Sequence, residues 1–235
     1  MTDMLSLYRA LVARGTQPAL TWYGAQGRME LSGKVSANHL AKIAGYLSDE
    51  LWLEPGAQLE LDLPAHWKQV LWGLGAMLAG LRPVVIGADS AAPQPLSPRY
   101  EALITNRPEA YDPAETQAEA IAALDLGPLA LRWSGPPLAS GFYDASAEVL
   151  GSPDQLMDES RHGEANFEQW RGYGTLTRPG ERLLVGGEGR ILDPAVVLAS
   201  ATLQLGGGSL VVVETGDVDE IAQVEGAKIT QFIRK

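Results

Sequence analysis

The sequence predicts an α/β fold of three layers, αβα, around a mostly parallel sheet. Two stretches carry that prediction. In the first, Leu59, Leu61 and Leu63 alternate with acidic residues up to Pro64, as in a strand with one buried face. Val70, Leu71, Leu74 and Leu78 then recur at helical spacing, Gly80 suits a left-handed helix stop, and Pro83–Ile86 reads as a short buried strand. In the second, Arg182–Val185 reads as a strand, Pro194–Leu205 as a helix, Gly206–Gly208 as a stop and Leu210–Val213 as a strand. Each is a strand, a helix and a strand with tight joins, which makes a βαβ unit with parallel strands. The chain is therefore expected to be one α/β domain, 1–235, of two βαβ halves (about 1–110 and 165–235) joined by a loop-rich segment.

The remaining elements follow from period and punctuation. Leu5, Tyr8, Leu11 and Val12 mark one face of an opening helix that stops at Gly15. Ala19–Tyr23 and Arg28–Leu31 read as strands joined by a hairpin turn at 24–27, a small antiparallel appendage to the sheet. A long amphipathic helix runs from about Val35 to Leu51, with Val35, Ile43, Leu47 and Leu51 on one side and Ser32 or Ser36 as its cap. Ala91–Pro98 reads as a loop and Ala102–Thr105 as a strand. Asp112–Pro113 is a good cap and first turn for a helix reaching about Leu124, and Leu129–Trp133 reads as another strand. From Ser134 to Arg161 no period persists; this is where a functional surface is expected. A helix over Asn166–Tyr173, another over Val218–Glu225 and a strand over Lys228–Ile233 complete the reading.

Composition excludes several functions. Hydrophobic residues make up 46% and charged residues 20%, which suits a globular protein with a real core. A formal net charge of −11 gives no electrostatic reason to bind nucleic acid or an anionic membrane. No apolar run reaches the ~20 residues that span a bilayer, and the N-terminus lacks a basic region before its apolar residues, so no signal peptide is expected. Without cysteine there is no disulfide framework, thiolate metal site or cysteine nucleophile. A cytoplasmic protein is expected. Abundant alanine, and more arginine than lysine, hint at a GC-rich bacterial genome.

The order of short motifs resembles the start of the AMP-binding, adenylate-forming superfamily of acyl-CoA synthetases and ligases. The motifs are Leu20-Thr21-Trp22-Tyr23, Glu30-Leu31, Asn38-x-Leu40-Ala41, Glu54-Pro55-Gly56, Leu61-Asp62-Leu63-Pro64 and Ala79-Gly80-x-x-Pro83-Val84. Asn166-Phe167, Pro179-Gly180-Glu181-Arg182-Leu183-Leu184 and Leu205 to Val212 are similar to the segments that follow the family's phosphate loop. The trail covers most of the chain and is also similar to a group of short actinobacterial relatives. The resemblance implies that family's N-terminal fold. It also implies a phosphate loop of Ser, Thr and Gly ending in Pro-Lys within Asp144–Glu164, where no such run and no lysine occur. The adenine-binding strand motif, the ribose-binding aspartate and the mobile C-terminal domain with its catalytic lysine would fall beyond residue 235. Without those donors nothing stabilises the charge that develops in acyl-adenylate formation. The expectation is a non-catalytic binding or assembly module without a cofactor. The alternative is a partial acyl-adenylating or acyl-CoA ligase-related enzyme completed by a partner chain. A small molecule, a protein partner and a second copy of the chain are the expected partners.

Among individual residues, Gly186, Gly187, Gly189 and Arg190 form the leading ligand-binding candidate. A loop after a parallel strand and before a helix can bring backbone N–H groups to an anion, and Arg190 adds charge; the competing reading is a plain turn. In the family the equivalent loop borders the acyl pocket; here it is shortened and lacks the family's aromatic or histidine residues. His66 lies at the same rim, where packing at a helix start competes with a ligand role. Gly172–Gly180 imitates a phosphate loop but falls late in the family order, with Leu176 interrupting its hydroxyls. His39 reads as a surface residue on the long helix. Asp158, Glu159, His162 and Glu164 read as a solvated loop rather than a metal site. Ser134 and Ser140 lack the frame of a nucleophile elbow, and Trp67, Trp72 and Trp133 read as packing residues.

Overall fold

A computed structural model describes residues 3–86, 101–116, 118–159, 180–186 and 192–229. The element order is α1 (Met4–Arg14), β1 (Pro18–Gly24), β2 (Gly27–Ser32), α2 (Gly33–Gly45), a π-helical turn (Tyr46–Glu50), β3 (Gln58–Asp62), α3 (Trp67–Leu78), β4 (Arg82–Val85) and β5 (Ala102–Thr105). A 3-10 turn (Pro108–Ala110), β6 (Ala120–Ala123), β7 (Phe142–Asp144), α4 (Ala145–Glu148), a second 3-10 turn (Val149–Gly151), β8 (Arg182–Gly186), α5 (Pro194–Gln204), β9 (Ser209–Val213), α6 (Val218–Glu225) and β10 (Lys228–Ile229) follow.

The α/β class and the mostly parallel strands are as the sequence predicts, and both βαβ units are present: β3 pairs in parallel with β4, and β8 with β9. The strands are divided between two sheets of five. Sheet A has the order β10-β8-β9-β1-β2 and sheet B the order β4-β3-β5-β6-β7. Every neighbouring pair is parallel except the β1–β2 hairpin. The helices α1, α2, α3 and α5 share one continuous apolar core with inward residues of both sheets, including Leu20, Trp22 and Val212 of sheet A and Leu59, Leu61 and Ile104 of sheet B. Sheet A buries its other face under α6, around Leu184, Val211, Val213, Val218 and Ile221. Sheet B buries its other face around Leu103, Tyr111 and Ile121.

Local chemistry explains the element ends. Ser32, not Ser36, caps α2: its Oγ accepts from Val35 N, whereas Ser36 is buried in the helix. Asp3, His66, Asp193 and Asp217 cap α1, α3, α5 and α6 with side-chain acceptors. Gly80, at φ 80°, ends the α3 segment in the left-handed region that glycine reaches without strain.

Three sequence expectations are corrected. The β1–β2 hairpin is no appendage, because β1 lies beside β9 with Trp22 opposite Val212. The segment after Asp112 makes a single turn, with Glu115 N and Thr116 N donating to Asp112 O, and then becomes strand β6 rather than a helix to Leu124. Ala120, Ile121, Ala122 and Ala123 are all buried, so a slot between β5 and β7 that fits small side chains overrides alanine's helix propensity. Leu129–Trp133 is a turn with Leu129 and Leu131 exposed, not a strand. The expected helix at 166–173 lies outside the described residues.

Candidate functional site

The first turn of α3 joins the carboxyl-end rims of the two sheets. Its cap, His66, lies four residues beyond the end of β3, and Leu63-Pro64-Ala65 carries the chain out of the sheet. His66 caps the helix, with Nδ1 accepting from Lys68 N at 3.1 Å. That bond places the imidazole proton on Nε2 in the neutral ring. The ring packs edge-on against Trp22 of β1, 4.5 Å between centroids, and tilted against Trp67 at 5.6 Å. Burial, then the charge of Lys68, pushes the His66 pKa down to about 3, so the imidazole is neutral at neutral pH.

Lys68 reaches the other sheet. Its Nζ donates to Asp125 O at 2.6 Å and Gly127 O at 2.8 Å, in the segment that follows β6. It also stands 5.4 Å from the Trp67 ring centroid. Burial pulls its pKa down to about 8, against the opposing pull of Asp125. The Asp125 carboxylate in turn accepts from Gly127 N at 2.7 Å and from the backbone and hydroxyl of Ser134. The loop beyond is fixed at its far side by Asp144, which accepts from Trp133 N.

At the sheet A rim, Trp22 stands opposite Val212, and Val212 opposite Val185. At the usual strand spacing, His66 therefore packs on a residue about 10 Å from the end of β8. Gly186 ends that strand opposite Val213. A Cβ there would meet Val218 Cγ2 at 2.8 Å, so its missing side chain has a packing reason on the α6 face. Gly187, Gly189 and Arg190 lie outside the described residues, as do His162 and Glu164 and most of the 172–180 stretch. Beyond them α5 starts, with Asp193 accepting from Ala195 N at 2.9 Å. Gln69, one position past Lys68, donates from Nε2 to Pro194 O at 3.2 Å and ties the first turns of α3 and α5 together. Around this junction Trp22 Nε1, Trp67 Nε1 and Gln69 Oε1 are buried without a hydrogen-bond partner among the described residues.

His39 is half-buried against Trp67, with ring centroids 5.8 Å apart, and is not the free surface residue its helical position suggests. Burial, then Lys68, holds its pKa below the ordinary value. Trp72 packs on Tyr46 in the core, while Trp133 belongs to the loop after β6. Among the described residues no group of three or more His, Asp or Glu could hold a metal ion.

Sequence reasoning missed one cluster, at the carboxyl ends of β3 and β5. Asp62, buried at the end of β3, accepts from Thr105 Oγ1 at 2.9 Å and Tyr111 OH at 2.9 Å. It also accepts from Arg107 Nε and Nη2, both at 2.7 Å. Asp62 was legible only as the end of an alternating strand; nothing in the spacing of Thr105, Arg107 and Tyr111 announces a shared partner 43 to 49 residues away.

Comparison with solved structures decides the fold. The chain superposes on a Brucella canis acyl-CoA synthetase with TM-score 0.67 and 17% identity, over 95% of this chain and 46% of that one. It matches the amide bond synthetase of Marinactinospora thermotolerans (TM-score 0.62, 15% identity, 96% and 48% coverage). It matches a Mycobacterium tuberculosis fatty acyl-CoA synthetase equally well (0.62, 15%, 95% and 48%). The chain has the N-terminal fold of the adenylate-forming enzymes. It spans about half the length of those synthetases. A curated Mycobacterium tuberculosis protein, named only by its family, is 33% identical over 152 residues, 62% of this chain and 58% of that protein. No family model matches the sequence. Within this adenylate-forming fold the rim described above is formed by β1, β3, β6 and β8 together with α3 and α5. None of the described helices is long and apolar enough to cross a membrane.

Proposed function

We propose that the protein is a non-catalytic binding or assembly module on the N-terminal adenylate-forming fold, with a small-ligand site at the rim between α3 and α5. The observation that carries this reading is the set of buried polar atoms without a partner among the described residues, Trp22 Nε1, Trp67 Nε1 and Gln69 Oε1, beside a neutral His66. Buried donors and acceptors cost free energy unless something pairs with them, and a small polar molecule would supply both kinds of partner. The titratable groups around them are already committed: His66 Nδ1 to a helix cap, the Lys68 ammonium to two carbonyls, and Asp125 to Gly127 and Ser134. Groups held this way support shape and recognition rather than proton transfer. Titration calorimetry with AMP, acyl-CoA and short carboxylic acids tests the reading. Saturable binding that Gln69→Leu weakens supports it, and absence of binding by all three classes removes the site.

The second reading is a partial acyl-adenylating activity completed by a partner chain. It is favoured by the extent of the fold match, 95% or more of this chain against acyl-CoA and amide bond synthetases. Pyrophosphate exchange with a panel of carboxylic acids, with and without cell extract, separates the two. Sedimentation at micromolar concentration reports whether the assembly partner is a second copy.

A further inference from the structure

We infer that sheet B carries an oxyanion-binding site of its own, beyond the carboxyl ends of β3 and β5, with Arg107 as its anchor. The site is centred on Arg107 and not on the orphaned polar atoms of the α3–α5 rim, although the first turn of α3 borders both. In the order β4-β3-β5-β6-β7 the chain leaves β3 for β4 on one side, and β5 then lies on β3's other side. Connections that depart in opposite directions open a crevice outside the carboxyl ends of the two central strands, and in open parallel sheets that crevice is where ligands bind. Asp62 and Thr105 are register partners at those two ends.

What lies at the crevice is a preset guanidinium. Arg107 spends Nε–H and one Nη2–H on the Asp62 carboxylate, two of its five N–H bonds. The bidentate contact fixes the plane of the group. Tyr111 also stands within hydrogen-bonding reach of the guanidinium, no other described residue takes the remaining donors on its outer edge, and the side chain is 31% exposed. Such an edge matches the paired oxygens of a carboxylate or a phosphate. Asp62 is itself fixed by the hydroxyls of Thr105 and Tyr111, so the pair that orients the guanidinium is held in place. The α3 N-terminus starts four residues beyond Asp62, and Lys68 in its first turn reaches over the end of β6, so a helix end and a second cation flank the crevice. Against these, Glu109 and Asp112 are exposed on the segment that follows Arg107. Their field disfavours a dianion, so a singly charged carboxylate is the better ligand.

The test titrates sodium acetate and, separately, inorganic phosphate into the full chain at constant ionic strength, following the side-chain Nε–H resonance of Arg107 by NMR. Arg107→Lys, which keeps a cation beside Asp62 but loses the fork, assigns the resonance and serves as the binding control. The expected result is saturable millimolar binding of acetate, as suits one ionic group. Arg107→Lys weakens it by about tenfold or more, and Glu109→Gln tightens it. Tighter binding of phosphate, lost in the same way, keeps the oxyanion site and changes its ligand class. Titration that fails to saturate with either anion by about 100 mM, or equal binding by folded Arg107→Lys, overturns the inference.

Discussion

His66 sits where a functional histidine could stand, and its surroundings show what it does. Its folded pKa lies below the unfolded value near 6.5, so the unfolded chain binds the proton first as pH falls. Stability is therefore fully present above pH 6.5 and is lost progressively toward pH 3. With a folded value of about 3, the loss from this group is about 2 kcal/mol at pH 5. His66→Asn keeps a side-chain acceptor for Lys68 N but does not titrate, so the acid limb of a stability–pH curve should flatten, leaving the smaller contribution of His39. Lys68 carries the opposite limb. Its folded pKa near 8 lies below the ordinary 10.5, so stability should rise from about pH 8 to pH 10 as the buried ammonium discharges. Lys68→Met removes that rise. At pH 7 it should cost about 2 kcal/mol, because the carbonyls of Asp125 and Gly127 lose their donor, and urea unfolding at both pH values reads the difference. His66 was legible in the sequence as a helix-start residue at a sheet rim; Lys68 was not, because its two partners lie 57 and 59 residues away.

At the scale of elements, α3 is the part on which the others close. Its glycines set the distances. A Cβ at Gly75 would meet Ile43 Cβ at 2.7 Å and Cγ2 at 2.5 Å, at the stiff, branched root of a buried side chain on α2. A Cβ at Gly73 would meet the methyl ends of Leu198 on α5 at 2.5 and 2.6 Å, and these can turn aside. Alanine gains about 1 kcal/mol of helix propensity at either site, and overpacking costs about 1–3 kcal/mol. Gly75→Ala should therefore destabilise the protein, while Gly73→Ala should be close to neutral; denaturant midpoints of the two variants give the order. The α3 helix was readable because its apolar period and its stop are local. Strand β6 was not: Ala118 to Ala123 has helix-forming composition, and only the slot between β5 and β7 makes it a strand. The turn at Leu129–Trp133 misled for the converse reason, since alternation of Leu129 and Leu131 predicts a strand but no ladder partner receives it.

For the whole molecule, the local pattern fixed the strands but not their division into two sheets, because sheet membership depends on contacts between residues nearly two hundred positions apart. Trp22 opposite Val212 is the clearest case. The same pairing has an energetic consequence. With β1 and β2 in the sheet of β8, β9 and β10, and with one apolar core shared by both sheets, no part of the described chain can unfold without exposing the rest. We propose that residues 1–235 unfold as one cooperative domain. Fluorescence and far-UV circular dichroism should then give coincident denaturant transitions; two separated transitions would show independent halves.

The fold is that of adenylate-forming N-terminal regions, while the described rim commits its ionisable groups to structure. The most direct test is calorimetric titration of Mg-ATP into the purified chain in the presence of a carboxylic acid panel. The account predicts neither micromolar ATP binding nor heat that continues after mixing. Sustained, acid-dependent heat from ATP turnover by this chain alone would contradict it.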